Sequence, residues 1–389
     1  MSQLLSKLSR YWNRIQESLF PWIEEELGPL TQKQKQFINI LEMVRIERFL
    51  PDRFGCEGRP QESRSAIARA FIGKMVYNMD TNTTLIERLA TDGSFRRICG
   101  WETRRQIPSE STFSRAFAEF AASSLPQVVH AFLIENTLGE EIISHNSRDS
   151  TAIEAREKPL LKPAKTEQEQ ITKKAEQRKR GRPKKGGIRP VSESELTCIE
   201  KQLTMPLGKI LSTLPTACNI GAKKNSKGNV SYWIGYKLHV DTVDGGIPVS
   251  AILTSASMHD SQAAIPLAMI SASRVTTLYD LMDAAYDDPN IIEHSKSLGH
   301  VPLIDKNPRR NKELKVELEA EAKARNTLNW KPAEAVRYNE RSTAERANAR
   351  LKDEFGGRKV RVRGNIKVAC HLMFGVLALA ADQLLKIVI

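Results

Sequence analysis

Residues 338–352 have the sequence YNERSTAERANARLK, and four of their side chains share one spacing pattern. Tyr338, Arg341, Glu345 and Lys352 stand at offsets of 0, 3, 7 and 14. At about 100° per residue, these offsets fall within roughly 60° of one helical face. A carboxylate on that face suits a divalent cation, while the two cations and the ring suit a phosphate and a base. The stretch therefore predicts metal-assisted chemistry on DNA.

The same stretch also has a purely structural interpretation. Ser342 and Glu345 are spaced as in a capping box, in which Ser342 would begin a helix and Glu345 would bind back to its backbone. On that interpretation the basic side chains form only a solvated helix face. The spacing by itself leaves both possibilities open, and the remainder of the chain decides between them.

The 389-residue chain is strongly basic, with a net charge of +13. Such an excess favours a polyanionic partner, either nucleic acid or an anionic membrane surface. The N-terminus lacks a signal-peptide pattern, and the most apolar segment, 372–389, is interrupted by Asp382, Gln383 and Lys386. We therefore expect a buried C-terminal helix, no membrane association, and double-stranded DNA as the partner. Five scattered cysteines without a Cys-x-x-Cys pair fit a reducing cytosol.

Residues 1–135 are expected to form an all-helical N-terminal domain. Apolar residues recur at helical spacing in 63–77, 83–89 is a second candidate, and 108–117 has the pattern of a helix capped by Ser109. Arginines beside these short helices indicate a helix-turn-helix-like DNA reader, with a plain helical bundle as the alternative. The arginines predicted to contact DNA there are Arg104, Arg105 and Arg115.

From residue 136 the pattern changes to mixed α/β. Strands are expected at 140–151, 232–241, 247–254, 275–282 and 300–304, the second and third joined by Gly245-Gly246 as a hairpin. Helices are expected at 261–272, after Asp288-Pro289, and through 334–389. This order predicts a mixed sheet in a catalytic domain that spans 136–389.

A strongly basic insertion, at about residues 156–229, interrupts this domain. Its centre, RKRGRPKKG at 178–186, resembles an AT-hook, whose Gly-Arg-Pro core can enter a narrow A·T minor groove. The alternative is a basic linker that binds phosphate without sequence preference. Both interpretations require DNA, and the contact residues they predict are Arg180, Arg182, Lys184 and Lys185.

Three carboxylates occupy comparable places in the predicted core. Asp149 lies near the end of the first strand, Asp283 directly follows the fourth, and Glu345 lies on a late helix. Adjacent strand ends can place two aspartates side by side, and a helical glutamate can close the site. Three carboxylates fit one or two Mg²⁺ ions, and two ions stabilise both oxygens of an in-line phosphoryl displacement.

Other aspartates compete for the second of these positions. Asp287 is a direct rival, whereas Asp280 lies within the strand and Asp288 is better explained as a helix cap. His259 and Asp260 are interpreted as a helix-start pair outside the site.

These motifs together resemble those of a DDE transposase of bacterial insertion sequences. The group that the chain resembles carries a Tyr-x2-Arg-x3-Glu-x6-Lys signature and a ribonuclease H-like catalytic core. The matching segments are the signature at 338–352, Asp149-Ser150-Thr151, GYKLH at 235–239, His259-Asp260-Ser261, Asp283-Ala-Ala-Tyr286-Asp287, and the helical region at 108–117. Ala285 stands where that group usually has glycine, a departure that we expect to be tolerated.

The resemblance implies a function as well as a fold. Asp149, Asp283 and Glu345 would be catalytic ligands of two Mg²⁺ ions, for which Mn²⁺ can substitute. Tyr338, Arg341 and Lys352 would contact transposon-end DNA near the scissile phosphate. The protein would bind terminal inverted repeats and catalyse strand cleavage and strand transfer. It would act as a homodimer or larger assembly on DNA, in the bacterial cytoplasm at the nucleoid. A non-catalytic DNA-binding protein and a nuclease that cuts without joining are the alternatives.

Overall fold

The computed structural model describes residues 2–51, 62–160, 196–224, 228–309 and 311–388, and its described part up to residue 138 is helical. The helices are α1 (Ser2–Arg14), α2 (Phe20–Leu27), α3 (Gln32–Val44), α4 (Arg64–Val76), α5 (Asn82–Thr91), α6 (Gly93–Cys99), α7 (Glu110–Ala122) and α8 (Leu125–Leu138). The helices predicted at 63–77, 83–89 and 108–117 are confirmed as α4, α5 and α7. Ser109 occupies the cap position of α7, as its sequence indicates.

A six-stranded mixed sheet follows this helical region. Its strands are β1 (Ile142–Glu154), β2 (Asn219–Lys224), β3 (Val230–Val243), β4 (Ile247–Ser255), β5 (Thr276–Met282) and β6 (Val301–Ile304). The order across the main sheet is β4-β3-β1-β5-β6, and β2 pairs with the first part of β3. Strands β1, β5 and β6 are parallel, and β3 is antiparallel to its neighbours. The predicted fold class, a mixed α/β core of ribonuclease H-like type after a helical region, is confirmed.

Eight further helices accompany the sheet in the described ranges. They are α9 (Cys198–Leu203), α10 (Leu207–Thr213), α11 (Ala264–Ala272), α12 (Pro289–Ser297), α13 (Lys312–Thr327), α14 (Ala333–Tyr338), α15 (Ser342–Glu354) and α16 (Asn365–Lys386). All five predicted strands are present. The sequence did not predict β2 or α13, and β2, α9 and α10 lie inside the segment predicted as a basic insertion.

The β3–β4 hairpin follows directly from its turn residues. Gly245 and Gly246 have φ angles of 78° and 75°, in the left-handed region that side chains disfavour. An added Cβ at Gly246 would lie 2.7 Å from the side chain of Gln383 on α16. Glycine therefore both permits this turn and lets α16 approach it closely.

Helix α16 joins the helical region to the sheet in one hydrophobic core. It packs against α3, α4, α7 and α8 on one side and against β4 on the other. At the centre, the ring of Phe374 lies 5.8 Å from Phe71 and 6.4 Å from both Phe117 and Phe120, measured between ring centroids. Within the described residues α16 is long and apolar enough to cross a membrane, but 89% of its apolar window is buried inside the protein. The predicted buried C-terminal helix is confirmed.

A buried polar network lies on the sheet face opposite α15. The guanidinium of Arg148 donates to both carboxylate oxygens of Asp241 at 2.8 Å, and the two side chains are 2% and 0% exposed. Ser271 donates to Asp241 at 2.7 Å, and Asn146 bridges Asp241 and Asp280 with its amide at 3.1 Å. Because every charge here is paired or hydrogen-bonded, the network can remain buried without a large penalty.

We expect Arg148→Met to destabilise the protein by about 3–5 kcal/mol, because the buried charge of Asp241 would lose its cationic partner. Urea unfolding followed by circular dichroism measures this change. The matched double variant Arg148→Met/Asp241→Asn removes both charges and keeps an acceptor for Ser271, so it should recover most of the loss. A loss below about 1 kcal/mol in Arg148→Met would show that the pair contributes little.

Candidate active site

Two of the predicted site aspartates are neighbours where β1 passes the C-terminal end of β5. Strands β1 and β5 are parallel, with Ser147 beside Leu281, so Asp149 and Asp283 continue the same register two residues later. Burial raises the pKa of both carboxyls, and the charge of Asp283 adds to the rise at Asp149. The backbone N–H of Ala285 donates to Asp283 Oδ1 at 2.9 Å, which fixes this carboxylate at the strand end. Two partly buried carboxylates held together in this way favour a bound cation.

The signature residues belong to one helical run that crosses the sheet beside this pair. The run consists of α14, the turn Asn339–Arg341 and α15, with no extended residue between them. Helix α15 packs across β1 and β3. Ser342 has helical angles, φ −57° and ψ −17°, and the structure shows no side-chain cap at the start of α15. The capping-box interpretation of Ser342 and Glu345 is therefore wrong, because the helix has already begun before Ser342.

Glu345 does not join the two aspartates. Its side chain is 54% exposed, and its Oε1 accepts a hydrogen bond from Arg341 Nη2 at 2.7 Å. Among the residues that the structure describes, no group of three His, Cys, Asp or Glu side chains converges closely enough to hold a metal ion. The structure thus brings together Asp149 and Asp283, and it leaves the Glu345 carboxylate in an ion pair on the same helix.

Tyr338 and Arg341 border the aspartate pair. The Tyr338 hydroxyl lies 2.7 Å from Asp305 Oδ2 and 3.2 Å from the carbonyl oxygen of Met282, the residue before Asp283. The Arg341 guanidinium lies 5.8 Å from the centre of the Tyr338 ring. Its positive charge lowers the pKa of Asp283, in opposition to the rise caused by burial. Arg341 is therefore close enough to influence this carboxylate electrostatically.

Lys352 lies two turns further along α15 than Glu345, together with other cations. Burial lowers the pKa of Lys352, and the charges of Arg358 and Lys223 lower it further. Lys223, on the edge strand β2, also lowers the pKa of both Asp149 and Asp283. Lys352, Arg358 and Lys223 thus bring three cations together at this end of the site, beside the carboxylates of Glu154 and Asp353.

Three side chains near the site were not predicted to belong to it. The amide of Asn348 donates to Asp149 Oδ2 at 3.0 Å, and Lys223 lies on a strand that the sequence did not predict. Asp260, expected to lie outside, accepts from Lys237 Nζ at 2.9 Å, and its charge raises the pKa of Asp283. Asn348 has a sequence signal, because it stands on the same helical face as Glu345 and Lys352. Asp260 also has one, because it belongs to the motif His259-Asp260-Ser261, although it was interpreted as lying outside the site.

The three rival aspartates have other partners. Asp280 is 1% exposed and binds Ser295 at 2.6 Å and His300 at 3.0 Å, within the network below the sheet. Asp288 accepts from the backbone N–H of Asn290 at 2.9 Å, so its predicted role as the cap of α12 is confirmed. Asp287 accepts from the backbone N–H of Asn307 at 2.9 Å. Each of these contacts directs the carboxylate to a structural partner.

The predicted basic residues of the helical region lie around one groove. Arg105 and Arg115 line a cavity of 990 Å³ together with polar residues of the α7 N-terminus, and Arg104 lies in the adjoining turn. All three arginines are exposed. Arg180, Arg182, Lys184 and Lys185 of the AT-hook-like segment lie outside the described residues.

Comparison with protein families gave two matches. Residues 208–381 match a family described as Transposase DDE domain, and residues 23–119 match one described as Transposase domain (DUF772). The first match contains Asp283 and the whole signature run, and the second contains Arg104, Arg105 and Arg115. Searches of curated proteins and of solved structures gave no significant match.

Proposed function

The chain belongs to the DDE transposases of the insertion-sequence type, and we propose that it cleaves and joins DNA at the terminal inverted repeats of its own element. We assign it to the group with the Tyr-Arg-Glu-Lys signature. The observation that carries the proposal is the placement of Asp149 next to Asp283, beside the helical run that contains Tyr338, Arg341 and Lys352. We further propose that it acts as a homodimer or larger assembly on DNA.

The donor set fits the divalent ions that this family uses. Asp149 and Asp283 are oxygen donors of the kind that Mg²⁺ prefers, and both are partly buried with raised pKa values, which a bound cation would reverse. Glu345 lies four residues, about one helical turn, after Arg341, its present partner. A rotation of its side chain out of this exposed ion pair costs little, because exposed pairs contribute only about 0–1 kcal/mol. We propose these three carboxylates as ligands of Mg²⁺, with two ions and with Mn²⁺ as a substitute.

When bound, the divalent ions would activate the attacking oxygen and stabilise the leaving oxygen of an in-line displacement. The chain's own residues do the rest. Arg341 and Lys352 offset phosphate charge on either side of Glu345, and Arg341 presents donors in a planar fork that matches a phosphate. Tyr338 offers a ring face for a displaced base, while its hydroxyl is held by Asp305.

The direct test is strand cleavage on DNA taken from the two ends of the element. The purified protein is incubated with labelled end duplexes in Mg²⁺, and the products are separated on denaturing gels. Nicking at the element boundary followed by joining of the 3′ end to a second duplex supports the proposal. Nicking without joining would indicate a nuclease, and end binding without nicking would indicate a non-catalytic DNA-binding protein.

For recognition of the ends, we propose the helical region as the reader. Its exposed Arg104, Arg105 and Arg115 adjoin the N-terminus of α7, where side chains can reach base edges or phosphates. The basic segment that contains Arg180, Arg182, Lys184 and Lys185 would add non-specific or A·T-directed affinity.

We expect Arg115→Ala to weaken binding to end DNA by about 1–3 kcal/mol, with a much smaller loss on random duplex, because a base contact is lost. If Arg115 contacts only phosphate, both duplexes lose affinity equally and the salt slope falls by about one. Fluorescence anisotropy over a salt series distinguishes the two results. Arg10→Ala, an exposed arginine on α1, is the matched control. Unchanged affinity for both duplexes in Arg115→Ala would remove this arginine from the reader.

A further inference from the structure

Asn348 is the side chain of α15 that reaches the aspartate pair. Its Nδ2 donates to Asp149 Oδ2 at 3.0 Å, and the residue is only 6% exposed. Within the described ranges, no other side chain donates a hydrogen bond to Asp149. We propose that Asn348 is a positioning residue, which orients the Asp149 carboxylate toward the cation and fixes α15 over the site. This inference rests on the proposed function, because it assumes that Asp149 binds the ion.

The chemistry of the amide suits this task. An asparagine amide orients a carboxylate oxygen without adding charge, so Asp149 keeps its full negative charge for a cation. A basic partner would instead compete with the ion. Asp241, on the adjacent strand β3, illustrates the contrast. Arg148 binds both oxygens of its carboxylate, which belongs to the structural network. The side-chain donor to Asp149, the Asn348 amide, is neutral and binds one of its oxygens.

The same hydrogen bond also fixes the signature helix. Asn348 lies three residues after Glu345 and four before Lys352, so the three share one face of α15. Ala344 and Ala347 of this helix are 0% and 3% exposed, and their small side chains allow a close approach to the sheet.

A second polar contact supports the first. Ser147 Oγ donates to the carbonyl oxygen of Glu340 at 3.2 Å, so β1 holds the signature run at two points. If the hydrogen bond between Asn348 and Asp149 is lost, we expect two effects. The Asp149 carboxylate loses its orientation, and α15, with Glu345 and Lys352, shifts relative to the sheet.

Metal affinity without DNA tests the proposal. Mn²⁺ binding is measured by electron paramagnetic resonance for the wild type, Asn348→Ala, Asp149→Ala and the double variant. We expect Asn348→Ala to weaken binding about 10–100-fold, the usual effect of removing a residue that orients a ligand. The double variant should bind no more weakly than Asp149→Ala, because Asn348 acts through Asp149. Additive losses, or unchanged affinity in Asn348→Ala, would overturn the inference.

Thr343→Ala is the matched control, because Thr343 is also a polar residue of α15 that is 6% exposed, and its hydroxyl binds Arg346 and Glu340 rather than an aspartate. It should bind Mn²⁺ like the wild type. If Asn348→Ala does not fold, Asn348→Ser keeps a small polar side chain that is too short to reach Asp149, and the same loss is expected.

Cleavage kinetics give an independent readout. In Asn348→Ala the Mg²⁺ concentration for half-maximal cleavage should rise, while the KM for end DNA stays unchanged. An altered KM with an unaltered Mg²⁺ requirement would contradict the proposal. The two levels of inference remain separable: normal Mn²⁺ affinity in Asp149→Ala contradicts the proposed function, whereas a defect in Asp149→Ala alone contradicts only the role of Asn348.

Discussion

Asp283→Asn is expected to abolish Mg²⁺-dependent cleavage of end DNA and to make the protein more resistant to heat. Loss of a metal ligand removes several kcal/mol of charge stabilisation in the transition state, which lowers the rate by roughly 10³-fold or more. The gain in stability has a separate cause. Burial raises the pKa of Asp283, so its charged form is disfavoured in the folded protein at neutral pH.

The pH dependence of this gain gives a check on its origin. A carboxyl whose pKa is raised on folding contributes full stability at pH values below its unfolded pKa, and this contribution is lost as the pH rises through the folded value. The wild type and Asp283→Asn should therefore differ in Tm at neutral pH and converge in acid. Asparagine keeps the acceptor for the Ala285 N–H, so the strand end remains intact.

Asp287→Asn is the matched control, because Asp287 lies four residues away and binds a backbone N–H rather than facing Asp149. It should cleave at close to the wild-type rate. Normal cleavage by Asp283→Asn with inactive Asp287→Asn would transfer the assignment to Asp287. Gel assays of nicking and scanning calorimetry, performed on the same preparations, measure both properties.

Glu345→Gln is expected to stop cleavage in Mg²⁺ and in Mn²⁺ without loss of stability. The change removes the negative charge that a divalent ion needs, but it replaces only one partner of an exposed ion pair with Arg341, which is worth about 1 kcal/mol or less. End binding without metal should be nearly unchanged, because Arg341 and Lys352 are retained.

Glu340→Gln, an exposed glutamate of the turn before α15, controls for the loss of charge near the site. It should keep its activity. Near-wild-type cleavage by folded Glu345→Gln in both metals would show that Glu345 is not a ligand, and that the aspartate pair works with another residue of α15.

The sequence predicted the elements whose patterns are local. Gly245-Gly246 between two β-rich runs identified the β3–β4 hairpin, and Asp288-Pro289 identified the start of α12. Strand β2 was missed because Asn219–Lys224 has little β-forming character of its own and is defined by its pairing with β3. Helix α13 was missed because it buries none of its side chains and so lacks a strong apolar stripe.

The sequence likewise predicted some features of the site and missed others. Asp283 directly follows β5, as the sequence predicted, and the parallel register of β1 and β5 places Asp149 beside it. The prediction that Asp149 lies near the end of its strand was wrong, because pairing with β3 extends β1 to Glu154. The hydrogen bond between Asn348 and Asp149 joins residues 199 positions apart, and the choice of Arg341 as partner of Glu345 is a matter of side-chain rotation. Helical spacing places Asn348 and Glu345 on one face, but it does not show which partner each side chain binds, because the same spacing permits several rotamers.

The packing of Phe374 against Phe71, Phe117 and Phe120 limits how such a protein can evolve. A DNA reader joined by a linker can be exchanged between enzymes, because few contacts cross its boundary. Here the N-terminal helices and the sheet complete their interiors with the same helix, α16. A graft of foreign helices would expose that helix or leave cavities around it, each costing several kcal/mol per large side chain. With the helical region as the proposed reader, specificity for a new DNA end would therefore arise by substitutions on the surface of α7 and its neighbours, while the shared interior keeps its shape.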